Sequence, residues 1–235
     1  VSEQKALLKV REFVLKARRL IENISAEDLV EKGGANPYMA KALGMRTIDE
    51  VVEFFVSRRI ERSLGTSFGN VLDEVIRILL EGLKGKELVK KYGKWIKWWD
   101  IVLPDKKIVI SVKSGPADMD KDQVEYFVER AREAESNGFQ PFLVFVYGKQ
   151  AFPIIENYLI KGGYPPKRHL RIGKAVFEEF LVDSAYYRKA LEIFSTAGEE
   201  TGDLFALIEA KIKAITEELK RKYGDDVDKL IEDMF

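Results

Sequence analysis

Cysteine is absent from this chain and histidine occurs once, as His169. The first absence excludes disulfides and thiolate-bound zinc. The second argues against a histidine-rich metal site or a Ser-His-Asp triad. Oxygen ligands and a hard cation such as Mg²⁺ are what remains for metal chemistry. A net charge is missing as well, with 39 acids set against 39 bases. Any surface for a polyanion must therefore be a local patch, because no global field supplies one. Apolar runs long enough to span a bilayer are lacking, and no signal-peptide pattern opens the chain. These points predict a cytoplasmic protein with no membrane partner. Internal repeats and low-complexity segments are not found either.

What is present is a chain of 235 residues with 46% hydrophobic content. That suffices for one large domain, or one domain with helical appendages, around a substantial core. Charged residues reach 33%. They are rich in Lys and Glu, while Asn and Gln are scarce, a composition that leans toward a thermophilic source.

Residues 98–123 organise the rest. Trp99 to Leu103 reads as a short strand, Pro104-Asp105-Lys106-Lys107 as a turn, and Ile108 to Val112 as a second strand ending at Lys113. If the hairpin closes symmetrically on that turn, Asp100 lies opposite Ser111. Lys113 then projects on the same face as Ser111, because side chains alternate with period two. A carboxylate, a hydroxyl and an ammonium then share the open end of one hairpin. Such a group can hold a cation and orient a water, although an Asp–Lys pair on a solvated edge does neither.

Around the hairpin the periodicity predicts helices. Residues 1–23 form an amphipathic helix with Arg11, Lys16, Arg18 and Arg19 on a basic flank, and 25–31 a short second one. Asn36-Pro37 is a loop signal. Thr47 and Glu50 form a capping box for a helix to about Leu64, on which Arg58, Arg59 and Arg62 cluster. Gly65-Thr66-Ser67 is expected to break the chain, with Ser67 capping a strongly apolar helix over 68–83. That helix carries two acids, Asp73 and Glu74, which either complement its dipole or reach a site in the hairpin. Residues 84–97 are basic, with Tyr92, Trp95 and the following tryptophans interleaved. Beyond Ser114-Gly115-Pro116, Asp118 or Asp120 caps a helix to Ser136 that buries Val124, Phe127, Val128 and Ala131 and shows Asp122, Glu125 and Glu129 on an adjacent stripe. Phe142 to Tyr147 is a central strand covered on both faces. A helix over 152–160, a strand over 169–172, a helix over 174–181 and three further helices, at about 184–194, 203–223 and 225–235, complete the order. His169 and the pair Tyr186-Tyr187 read as structural. The result is an α/β chain with a mixed central β-sheet flanked by helices and extra helices at both ends.

The hairpin with its flanks resembles the PD-(D/E)xK nuclease superfamily and, within it, type II restriction endonucleases. Asp100 matches the acid of the first strand, Ser111-Val112-Lys113 the (D/E)-x-K segment, and Gly69 to Glu74 the preceding acidic helix. Lys113-Ser114-Gly115-Pro116 followed by Asp120 to Val124 is similar to their loop and next helix. Arg171 to Phe180 is similar to an I-G-K-x-F-W-E-F segment of one group. The resemblance covers residues 65–182 and departs at Ser111, where a carboxylate is expected. It implies that a glutamate from a neighbouring helix replaces it, Glu125 being preferred, with Glu129, or Glu74 or Asp73 from the preceding helix, as other routes.

The resemblance implies a fold, an activity and a set of site residues. The fold is a restriction-endonuclease-like core at 65–182, between an N-terminal helical region at 1–64, for dimerisation or DNA contact, and a C-terminal one at 183–235. The activity is Mg²⁺-dependent (or Mn²⁺-dependent) hydrolysis of double-stranded DNA at a specific sequence by a homodimer. Asp100, Glu125, Glu74 and the Val112 carbonyl bind metal. Asp100, Lys113, Ser111 and Glu125 form the catalytic set. Arg58, Arg59, Arg62, Lys94, Ser114 and Gln123 are candidates for DNA contact. Another nuclease of the superfamily acting in repair or on junctions, a degenerate DNA-binding protein on this fold, and an interaction protein outside nucleic-acid chemistry are the alternatives.

Overall fold

The computed structural model describes residues 2–183 and 185–235. Val1 and Ser184, the expected first residues of two helices, lie outside them. In chain order the helices and strands are α1 (Ser2–Glu22), α2 (Ala26–Val30), α3 (Pro37–Ala42), α4 (Ile48–Leu79), α5 (Val89–Tyr92), β1 (Ile101–Leu103), β2 (Ile108–Lys113), α6 (Lys121–Ser136), β3 (Gln140–Phe145), α7 (Pro153–Gly162), α8 (Pro166–His169), β4 (Leu170–Ile172), α9 (Lys174–Leu181), α10 (Tyr186–Thr201), α11 (Leu204–Tyr223) and α12 (Val227–Glu232). Short 3₁₀ turns link several of them. The fold is a mixed, open four-stranded β-sheet flanked by helices, with additional helices at both ends of the chain. No helix among the described residues is long and apolar enough to cross a membrane.

The chain divides into two compact units. One comprises the residues up to Val10 and Gly69–Thr196; the other comprises Arg11–Phe68 and Ala197–Phe235. The first contains the sheet, in the order β1-β2-β3-β4. β1 and β2 run antiparallel, Ile101 facing Ile110 and Leu103 facing Ile108. The turn between them is a 3₁₀ segment at Pro104–Lys106, closed by Lys107 in the left-handed region. β2–β3 and β3–β4 are parallel, so each needs a crossover, and α6 and α7 with α8 supply them. β3 is central and buried at every position after Gln140, as a strand covered on both faces must be.

Period-two alternation divides the sheet's side chains between its faces. Val102, Val109, Leu143, Phe145 and Leu170 pack with Val124, Phe127, Val128 and Ala131 of α6, Ile155 and Leu159 of α7, and Trp95, Ile96 and Trp99. On the alternate face Phe142 meets Phe180 of α9 edge-on, with ring centres 5.2 Å apart.

The second unit is helical. Its core joins Ile21, Leu29, Val52, Phe55, Val56 and Ile60 to Ile215, Leu219 and Leu230. The capping box at the start of α4 forms as read: Thr47 Oγ1 accepts from Glu50 N–H, and Glu50 Oε2 accepts from Thr47 N–H.

Several local features differ from the sequence reading: α10 runs on to Thr201 instead of ending near 194, β3 spans Gln140–Phe145 instead of 142–147, and His169 ends α8 instead of starting a strand. Two more concern α4 and α3. α4 does not break at Gly65-Thr66-Ser67. The Ser67 hydroxyl donates to the carbonyls of Ser63 and Leu64 within the helix instead of capping a new one. A mid-helix glycine costs only about 1 kcal/mol, and the apolar stripe on either side is buried, so one helix results. Asn36-Pro37 is not only a loop signal. Asn36 Oδ1 caps α3 by accepting from Met39 N–H, with Pro37 in the first turn. Here the chemistry of a turn and of a helix start is the same.

Candidate active site

Asp100 immediately precedes β1. Its backbone N–H donates to Ile110 O, continuing the ladder by one residue and placing it opposite Ser111, as the symmetric hairpin requires. Its Oδ2 accepts from the Val112 backbone N–H at 2.8 Å and lies 3.4 Å from the Ser111 hydroxyl. The carboxylate is thus locked to β2 by a charge-assisted bond.

The segment leading into Asp100 is held by close backbone packing. Gly85 N–H donates to Trp99 O at 3.1 Å. A Cβ at position 85 would sit 1.9 Å from Ile96 O and 2.8 Å from Trp99 O, so only glycine fits there.

Asp73, on α4, lines the same groove as Asp100. Burial, and then the charge of Asp100, raise its pKa from 3.8 to about 7, with Lys113 acting against them. The Asp100 carboxyl is also raised, by burial, against the Val112 N–H, Lys113, Ser111 and Arg130. No described carboxylate lies within ion-pair distance of the Lys113 ammonium, yet both aspartates feel its charge. The groove holding Asp73 and Asp100 measures about 420 Å³, and Arg77, Lys84, Lys86 and Lys97 also line it.

The other expected acids are placed differently. Glu74 lines the groove but is engaged: Lys84 Nζ lies 2.7 Å from it and Arg77 Nε donates to it at 3.2 Å. The Arg77 hydrogen bond, followed by Lys84, holds its pKa down to about 2 against burial. Glu125 is 53% exposed, with Lys121 Nζ 3.9 Å away. Glu129 is likewise exposed. Among the described residues no group of three or more acids or histidines is placed to hold a metal ion. Two aspartates, by contrast, suit Mg²⁺, which takes one or two carboxylates and completes its octahedron with water and substrate oxygens. Burial, and after it the charge of Asp100, raise Asp73, and a divalent cation would offset both.

Of the residues expected to touch DNA, Gln123 lines a smaller pocket together with Ser111 and Lys113. Ser114 is partly buried and Lys94 is exposed. Arg58, Arg59 and Arg62 belong to the helical unit, where Arg59 lies 3.4 Å from Asp28 and Arg62 is exposed. His169 is structural: it is buried, with Nδ1 2.9 Å from Pro141 O.

Sequence reasoning missed Arg130, whose charge acts on Asp100 and whose guanidinium lies over the Trp98 ring. It sits two turns after Gln123 on α6, so its position in the period was the available signal.

No protein-family model matches this sequence, and no curated protein matches it.

Proposed function

We propose that this protein is a Mg²⁺-dependent endonuclease that hydrolyses phosphodiester bonds of double-stranded DNA, a type II restriction endonuclease with a PD-(D/E)xK core. The observation that carries the reading is a groove lined by Asp73 and Asp100 and walled by Arg77, Lys84, Lys86 and Lys97, with Lys113 on β2 two residues beyond Ser111, the residue opposite Asp100. Two acids and a free ammonium suit a metal-assisted attack on phosphate, and the cationic wall suits the phosphate backbone.

Asp73 and Asp100 would hold Mg²⁺ (or Mn²⁺), with the Val112 carbonyl as a further oxygen ligand. When bound, the cation polarises a phosphate oxygen and lowers the pKa of water. The Val112 N–H fixes Asp100 and so spares it reorganisation. Lys113 orients the attacking water and offsets charge building on the phosphorus-bound oxygens. Glu74 anchors Lys84 and Arg77 along the groove. Ser111 supports Asp100 in place of a second strand acid, and Asp73 supplies the missing carboxylate. By resemblance, the products carry 5′-phosphate ends and a homodimer cuts one strand per subunit.

The engagement of Glu74, the third acid of the groove, by Arg77 and Lys84 favours one rival, a DNA-binding protein that has lost cleavage. Plasmid DNA incubated with the protein and Mg²⁺ separates them. Discrete fragments that disappear with EDTA are expected. Structure-dependent nicking indicates a repair or junction nuclease, and binding without cleavage indicates the degenerate protein.

A further inference from the structure

The three parallel strands end together. Lys113, Phe145 and Ile172 stand in one row across β2, β3 and β4. The loops beyond them pack directly on one another. A Cβ at Gly115 would sit 2.4 Å from the Tyr147 ring, and one at Gly173, whose φ is +58°, 2.8 Å from Gly148 O. Tyr147 N–H donates to Ser114 O at 3.0 Å, and Gly173 N–H to Phe145 O at 2.9 Å. Contact this close requires glycine. It makes this end of the sheet a rigid platform running from Lys113 to the start of α9.

The far end of that platform carries a cluster of cations. Lys174, the first residue of α9, places Nζ 4.8 Å from the Tyr187 ring centre. On α10, Arg188 Nε donates to the Tyr187 hydroxyl at 3.3 Å. That hydrogen bond, and the charge of Lys174, hold the Tyr187 phenol below its ordinary pKa against burial. A local field that favours a phenolate favours a phosphate for the same reason. Lys174 and Arg188 are exposed, as is Lys149 on the loop after β3. The acids Glu179 and Glu3 pair with Arg171 and Lys189. Among the described residues no carboxylate stands within ion-pair distance of Lys149, Lys174 or Arg188.

Neighbouring strands lie about 4.8 Å apart, so the cluster is on the order of 10–15 Å from Lys113. That is the span of about three or four nucleotides at ~3.4 Å of rise each. Two exposed cations hold a free phosphate weakly in water. A phosphate on a strand already seated at Lys113 meets them at high effective concentration.

We propose that Lys174 and Arg188, held by Tyr187, form a second contact with the DNA backbone, on a phosphate separate from the one at Lys113. The proposal rests on reading the catalytic groove as a DNA site. Such a contact carries no sequence information; it sets the register and orientation of the duplex on the protein.

The test is the salt dependence of binding. The full chain, in EDTA to prevent cleavage, is titrated into a labelled duplex oligonucleotide over a range of NaCl concentrations, with fluorescence anisotropy as the readout. On logarithmic axes affinity falls with salt by a slope of about 0.9 for each phosphate neutralised. The double variant Lys174→Gln, Arg188→Gln, checked for folding by circular dichroism, is expected to lower that slope by about one to two. Lys107→Gln removes a charge at the opposite end of β2 and is expected to leave the slope unchanged. Inorganic phosphate at matched ionic strength is expected to displace the duplex no better than chloride. An unchanged slope in the double variant, or one lowered as much per charge by Lys107→Gln, overturns the contact and leaves the nuclease reading standing. Selective displacement by inorganic phosphate that the double variant abolishes assigns the cluster to a free anion and equally overturns it. If the wild type binds no duplex, the contact is overturned, and the plasmid assay decides the nuclease reading separately.

Discussion

Asp73→Asn removes a charge that the fold opposes. In the folded chain burial, and then Asp100, raise this carboxyl from 3.8 to about 7, whereas in the unfolded chain it titrates near its ordinary ~3.9. Below about pH 4 both states hold the proton and Asp73 contributes nothing. As pH rises toward 7 the unfolded chain has released its proton while the folded chain has not, so the unfolded state gains and stability falls. Above pH 7 the whole penalty is in place. Its ceiling is about 4 kcal/mol, at about 1.4 kcal/mol for each tenfold change in acidity. Asp73 is only partly buried, and solvent screening reduces the expected figure to about 1–2 kcal/mol. Urea unfolding in EDTA should therefore show Asp73→Asn more stable than wild type by that amount at pH 8, with the gap closing at pH 4. Saturating Mg²⁺ reverses the order, because the wild type gains about 2.7 kcal/mol at a hundredfold excess over Kd and the variant gains little. Equal stability of the two proteins at pH 8 in EDTA would refute the charge crowding. An equal gain from Mg²⁺ would refute the role of Asp73 as a ligand.

Glu74→Gln should destabilise the protein by about 1–2 kcal/mol, since it leaves the partly buried Arg77 and Lys84 without their carboxylate. The loss should be largest at neutral pH and vanish as pH falls below the ordinary carboxylate range toward 2, where the wild-type Glu74 is itself protonated; a chemical-denaturation series in pH reads it. Gly85→Ala should cost about 1–3 kcal/mol or more through collision with the Ile96 and Trp99 carbonyls, seen as a lowered Tm, and should lower activity by displacing Asp100. Leu143→Ala, at a fully buried position of the central strand, should cost about 2–5 kcal/mol without changing the pH dependence of cleavage.

The hairpin was legible because its information is local. Alternation, the Pro104-to-Lys107 turn and the position of Asp100 determined the pairing with Ser111, and the observed register agrees. The Asp120 cap and the end of its helix at Ser136 were equally local. So was α9, whose bounds coincide with the reading. Where the reading fell short, the deciding quantity was tertiary. Whether Gly65-Thr66-Ser67 breaks a helix depends on what buries the flanking stripes. Which of Asp73 and Glu74 faces Asp100 depends on the rotation of α4 against the sheet, and adjacent residues on a helix point about 100° apart. Lys84 as the partner of Glu74 follows from the close backbone packing around Gly85, which no periodicity reveals. Glu125 stands exposed beside Lys121, an orientation set by the rotation of α6 against the sheet.

Asp73, Asp100 and Lys113 are proposed together as one Mg²⁺-dependent catalytic centre. Single-turnover cleavage of plasmid DNA by wild type, Asp73→Asn, Lys113→Ala and Glu125→Gln, with DNA binding measured alongside, tests it most directly. Asp73→Asn and Lys113→Ala are expected to bind DNA but to cleave at least about a hundredfold more slowly, and Glu125→Gln to cleave at the wild-type rate. Full cleavage by Asp73→Asn or Lys113→Ala, or loss of cleavage in Glu125→Gln alone, would contradict it.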